Sequence, residues 1–92
     1  MTEELVEFLK LHANGHENAI KTGELATKYK KHPSEIRRVV NAARCEGYPI
    51  CAGDKGYFYS DDNVDIVKTI NSLKGRCRAI EKSVDGLIKA IS

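Results

Sequence analysis

Along this 92-residue chain the apolar positions change their spacing from segment to segment, and each spacing predicts a different element. Leu5, Phe8, Leu9 and Leu11 lie on one side of a helix running to about His12. Glu3, Glu4 and Glu7 occupy its first turns, where carboxylates favour the positive end of the helix dipole. A second helix is expected from Thr22, whose hydroxyl is suited to cap the first turn, with Leu25, Ala26 and Tyr29 on one face. Lys31-His32 ends it, and Pro33 opens a third helix, because proline loses nothing at a position whose N–H would be unpaired anyway. Either His32 or Ser34 is placed to cap that helix. Ile36, Val39, Val40 and Ala43 form its apolar stripe, and Gly47 is its expected terminator. After Tyr48-Pro49 the spacing shortens. Ile50–Ala52 and Tyr57–Tyr59 flank Gly53-Asp54-Lys55-Gly56, the pattern of a hairpin.

The last third is different again. Ile66, Ile70, Leu73, Cys77, Ile80, Val84, Leu87 and Ile91 follow one another in alternating steps of four and three. That is a heptad seam, with Ile70, Cys77, Val84 and Ile91 at one core position and Ile66, Leu73, Ile80 and Leu87 at the other. Asp61-Asp62 makes a good helix start, and a helix from Asp62 to Ile91 would be about 45 Å long. Gly75 and Gly86 fall outside the seam. So long an apolar stripe needs a cover. A second copy of the chain, a helix of another protein, or a fold-back at Gly75 would each provide one, and the length of the repeat favours a self-associating coiled coil. Branched residues at the first position with Leu73 and Leu87 at the second lean towards a parallel dimer. Ile80, Cys77 and the flanking Val67 and Ile88 leave antiparallel and higher-order bundles open. An exposed Arg76–Glu81 pair across a parallel seam would contribute under ~1 kcal/mol, too little to decide orientation.

Helix, short turn, helix and hairpin in that order make a winged helix-turn-helix. The expected architecture is therefore α+β: three helices and a two-stranded wing in residues 1–60, then a C-terminal helix for oligomerisation in residues 61–92. The segment from Val6 to Tyr59 resembles the winged-helix domain of the biotin-repressor type. The resemblance rests on Leu25-Ala26, on Ile36, Val40 and Ala43, on Gly47, and on the Gly56-Tyr57 pair. It implies a DNA-binding domain in which the second helix of the pair reads the duplex. No ligase domain stands behind it in these residues, so no biotin-related activity is expected from the likeness. Small stand-alone proteins of this form are also similar to phage and prophage products.

Charge sharpens this reading. The net charge is only +2, but residues 1–14 carry one Lys against three Glu, while residues 22–47 carry six Lys or Arg against three Glu. The basic excess thus falls on the helix pair that would face phosphates. Ser34, Arg37, Arg38 and Asn41 are the expected base-edge residues, since Arg matches guanine and Asn matches adenine through paired hydrogen bonds. Lys28, Lys30 and Lys31, with Lys55 at the hairpin tip, are the expected phosphate contacts. Glu35 lies near the same surface. The expected partners are double-stranded DNA and a second copy of the chain. The expected role is a small dimeric transcriptional regulator. A replication or origin-binding accessory protein, or a winged helix that only docks proteins, would present similar surfaces.

Other chemistry finds little support in the chain. Cys45, Cys51 and Cys77 are odd in number and lack Cys-x-x-Cys spacing, so neither a disulfide framework nor a zinc site is expected, and reduced thiols in a cytoplasmic setting are. His12 and His16 are four apart, but Asn14-Gly15 between them is expected to break the helix that would align them. No nucleophile–base pair, paired carboxylate site or phosphate loop is visible, so no enzyme, cofactor, metal or small-molecule ligand is expected. No apolar run is long enough to span a bilayer, and the acidic, amphipathic start does not read as a signal peptide.

Overall fold

Backbone hydrogen bonds radiate from one short strand near the middle of the molecule. In the computed structural model, which describes residues 1–91, that strand is β2 (Gly56–Tyr59). It pairs antiparallel with β1 (Ile50–Gly53) in the register Ile50↔Tyr59, Cys51↔Phe58, Ala52↔Tyr57 and Gly53↔Gly56. Its other edge is also filled. Tyr57 and Ile20 exchange two backbone bonds of 2.9 Å, the Tyr59 N–H donates to Ala13 O at 2.8 Å, and the Gly15 N–H donates to Tyr59 O at 2.9 Å. The alternation of an antiparallel ladder requires this division: Tyr57 and Tyr59 point their backbone groups away from β1, and Gly56 and Phe58 point theirs towards it.

Three helices cover one face of the hairpin. These are α1 (Thr2–His12), α2 (Thr22–Tyr29) and α3 (Pro33–Cys45), with a short 3-10 turn at His16–Asn18 between the first two. Their buried stripes are Leu5, Val6 and Leu9 on α1, Leu25 and Ala26 on α2, and Ile36, Val40 and Ala43 on α3. All meet Ile50 and Tyr59 in one core. The fourth helix, α4 (Asn63–Ala90), packs against β1, so the hairpin is covered on both sides near its base. Both Ile50 and Cys51, consecutive residues that point to opposite faces, are accordingly buried. The architecture is α+β, with four helices and a two-stranded antiparallel hairpin among the described residues.

Local chemistry sets the boundaries. His32 caps α3, settling the choice between two caps: its Nδ1 accepts the Ser34 N–H at 3.1 Å. It ends in a paired cap in which the Gly47 N–H donates to Arg44 O at 3.0 Å and the Tyr48 N–H donates to Ala43 O at 3.1 Å. Gly47 has φ +96°, which only glycine adopts without strain. α4 starts at Asp62, whose Oδ1 accepts the Val64 N–H at 2.8 Å, and continues unbroken through Gly75 and Gly86. The expected cap at the start of α2 is corrected. Lys21 occupies that position with extended backbone and makes no side-chain cap bond, and Thr22 is the first helical residue. The reason is non-local: Ile20 is pinned to Tyr57 of β2, so the last extended residue before the helix is the one that follows it.

Gly56 marks the tightest approach. It has φ +118°, and a Cβ there would run into the carbonyl of Ile20 and lie 2.8 Å from Lys21 N. Gly47 also has positive φ, but nothing lies within 4 Å of its Cβ position. Gly47→Ala is therefore expected to cost about 1–2 kcal/mol from backbone strain alone, and Gly56→Ala roughly twice that or more. Urea unfolding of the two variants checks this; equal losses would show that the Ile20 contact is unimportant.

Candidate nucleic-acid interface

Helical periodicity sorts the polar side chains of α3. Ile36, Val40 and Ala43 face the core, which places Arg37, Asn41 and Arg44 together on the flank nearest the hairpin. Arg38 lies about 100° further round, on the side turned away from that flank. The grouped residues line a cleft of about 290 Å³ closed on its other sides by Gly53, Gly56 and Tyr57 of the hairpin and by Ser72, Leu73 and Arg76 of α4. Thr22, at the start of α2, completes its rim, and no carboxylate lines it.

Arg44 is the structural pivot of this flank. Its Nε donates to the carbonyl of Ile50 at 2.8 Å, and its guanidinium carbon lies 5.8 Å from the centre of the Tyr57 ring. One of its terminal nitrogens, Nη2, is buried without a hydrogen-bond partner. Burial lowers the affinity of this guanidinium for its proton, and the Arg76 charge pushes the same way, against opposing contributions from Tyr57 and Cys51. The cleft therefore holds cationic groups with no carboxylate among its described lining residues.

The other expected contacts disperse. Ser34 is half-buried, with its hydroxyl 2.9 Å from His32 Nδ1 at the helix cap. Lys28 turns towards α1, its ammonium 4.4 Å from the centre of the Phe8 ring and 5.3 Å from that of Tyr29. Lys31, in the turn before α3, reaches Glu35 at 4.0 Å, an exposed pair four residues apart. Lys30 is exposed and ends α2 in the left-handed conformation, φ 54°. Lys55 is exposed at the hairpin tip. Its neighbour Asp54 is tied back to the 3-10 turn: an oxygen of its carboxyl lies 2.8 Å from His16 Nε2, and the His16 ring meets Phe58 edge-on at 5.5 Å.

Two contributors to the cleft were missed among the expected contacts. Arg44 could have been found, because it follows Arg37 by seven residues and Asn41 by three and so shares their flank. Arg76 could not, because its position depends on which turn of α4 meets β1. That turn is set by Thr69, whose Oγ1 accepts the Ala52 N–H at 3.3 Å and donates to Asp65 O at 3.1 Å.

The seam of α4 divides along its length. Ile66 and Leu73 are half-buried beside the hairpin, and Ile70 is partly exposed. Cys77, Ile80, Val84, Leu87 and Ile91 are exposed, Leu87 at 70 % of its surface. Cys51 is buried and burial raises its thiol pKa, whereas Cys45 and Cys77 are exposed free thiols. Among the described residues no group of three or more His, Cys, Asp or Glu side chains is arranged to hold a metal ion, and no helix is long and apolar enough to cross a membrane. Comparison with protein-family models, with curated proteins and with solved structures found no match for this chain.

The tie at the hairpin tip has a titration signature. The hydrogen bond to His16 holds the Asp54 carboxyl below its ordinary range. A depressed carboxylate supports the fold above its unfolded pKa, about 3.9, and that support is lost as pH falls through the lower folded value. A carbon-13 titration of the Asp54 carboxyl should therefore show a midpoint below that of an ordinary aspartate, restored upwards in His16→Ala. An unshifted midpoint in the wild-type protein would mean that the tie does not persist in solution.

Proposed function

We propose that this protein is a sequence-specific double-stranded DNA-binding protein, a small transcriptional regulator, built as a winged helix-turn-helix on an oligomerising C-terminal helix. In this reading α2 positions α3, α3 enters the major groove, and the hairpin is the wing. The observation that carries it is the polar face of α3. Arg37 and Asn41 stand beside Arg44 on a flank without carboxylates, next to a hairpin whose tip presents Lys55. Only three residues separate the end of α2 at Tyr29 from the start of α3 at Pro33, the connection length of DNA-reading helix pairs. Arg37 and Asn41 then supply base selection, and Arg38 and Lys55 contact the backbone on either side. Lys28 and Lys31, engaged with Phe8 and Glu35, contribute less.

The distal part of α4 provides the second element. Cys77, Ile80, Val84, Leu87 and Ile91 continue the heptad beyond the hairpin and are exposed, so a second copy of the same seam is their natural cover. A two-fold dimer of this kind reads two half-sites about 10 bp apart or a multiple of that.

Fluorescence anisotropy with a mixed-sequence duplex, across a salt series, tests the DNA reading. Binding should weaken steeply with salt, with a slope reporting several phosphate contacts, and Arg37→Ala with Arg38→Ala should abolish it while sedimentation and circular dichroism stay unchanged. A double variant that binds like the wild-type chain would reject α3 as the reading helix. For the oligomer, Ile80→Lys with Leu87→Lys should convert the protein to folded monomers in sedimentation equilibrium. Both side chains are exposed in the single chain, so the fold should survive. An unchanged mass would remove α4 as the interface.

A further inference from the structure

The cleft has a composition that DNA reading by α3 does not by itself require. Arg37 and Arg44 approach it from α3 and Arg76 from α4, a helix outside the three-helix core, with Asn41, Thr22 and Ser72 adding polar groups at its wall. Among the described residues Arg76 makes no ion pair, and Nη2 of Arg44 is buried and unpartnered. Buried donors in folded proteins are nearly always matched, so an orphan on an arginine that senses the Arg76 charge and shares a cleft wall with Arg37 points to an acceptor that arrives from outside. Guanidinium groups present paired N–H bonds that match the oxygens of a phosphate, and a tetrahedral anion can accept from several at once. At about 290 Å³ the cleft has room for a phosphate group and lies at the lower end of the size range of pockets that enclose larger organic ligands.

We infer that this cleft is a phosphate-binding site in which Arg44 and Arg76 hold the anion and Arg37 bridges it to the reading face of α3. Its occupant is a phosphodiester of the bound duplex or the phosphate of a free small molecule. The first source rests on the DNA reading above; the second does not. Engagement of Arg76 would tie the middle of α4 to the anion, so the oligomerising helix would be coupled to the occupied site.

Arg76→Ala separates the possibilities, because Arg76 is exposed and has no ion-pair partner among the described residues, so the variant should leave the melting temperature unchanged. Two readouts are needed: duplex affinity across a salt series, and the arginine Nε–H signals of the protein titrated with inorganic pyrophosphate. With a duplex phosphate in the cleft, the variant should bind DNA on the order of tenfold more weakly, with a salt slope smaller by about 0.9. With a free phosphate as occupant, pyrophosphate should shift the Arg44 and Arg76 signals of the wild-type protein, whether or not that protein binds DNA. If Arg76→Ala binds duplex with wild-type affinity and slope, and pyrophosphate moves neither signal, the site is overturned while DNA reading by α3 still stands. If wild-type protein binds no duplex but pyrophosphate shifts both signals, the DNA reading falls and the phosphate site remains.

Discussion

A two-stranded hairpin has two outer edges, and a protein this small has to satisfy the backbone groups on both. β2 solves its side with the chain between α1 and α2 through two isolated bridges: Ala13 and Gly15 bond Tyr59 in the parallel sense, and Ile20 pairs with Tyr57 in the antiparallel sense. β1 has no such neighbour. Two of its outward groups instead meet side chains: the Ala52 N–H donates to Thr69 Oγ1 and the Ile50 carbonyl accepts from Arg44 Nε, while the Ile50 N–H donates to Tyr48 O. An exposed edge of this kind is unstable towards pairing with other chains, and the two contacts close it. Much of the arrangement follows from them. Thr69 decides which turn of α4 lies against the hairpin, that turn brings Leu73 and Arg76 to the cleft wall, and Arg44 is held where its guanidinium joins them.

The order of elements was legible from local patterns, because those patterns are the direct cause of the elements. The spacing of Ile36, Val40 and Ala43 makes α3 amphipathic, and Gly47 ends it by a conformation other residues avoid. The reading failed where a distant partner sets the local conformation. Thr22 does not cap α2 because Ile20, held by Tyr57, fixes the backbone of Lys21. The residues between α1 and α2 carried no strand pattern, since four backbone bonds to β2 hold them and those bonds are indifferent to side chains. At the candidate site, Arg37 and Asn41 were identifiable from helical spacing. The packing of Lys28 was not legible, because its ammonium is drawn to the Phe8 ring on α1, a contact between elements.

The heptad repeat shows how one periodicity can serve two surfaces. Near its start α4 turns Thr69 inward and leaves Ile70 partly exposed, so the buried stripe is rotated slightly from the apolar one. A purely apolar contact would have left the Ala52 N–H unpaired, at a cost of about 1–3 kcal/mol, and a hydroxyl at that point avoids it. Past Leu73 no described residue covers the stripe. The proposed dimer interface therefore comprises about two heptads, and the dimer population would rise with protein concentration by mass action.

The continuity of α4 has a mechanical meaning. A helix without a break from Asn63 to Ala90 transmits rotation as well as distance, and its base is locked to the hairpin through Thr69. Any partner that grips the far end is thereby held at a set bearing to α3. In the proposed dimer the two reading helices would keep a fixed phase with respect to each other, like two teeth cut on one shaft. Moving one half-site by five base pairs would turn it to the opposite side of the double helix, beyond the reach of such a shaft, whereas a full helical turn would bring it back into mesh.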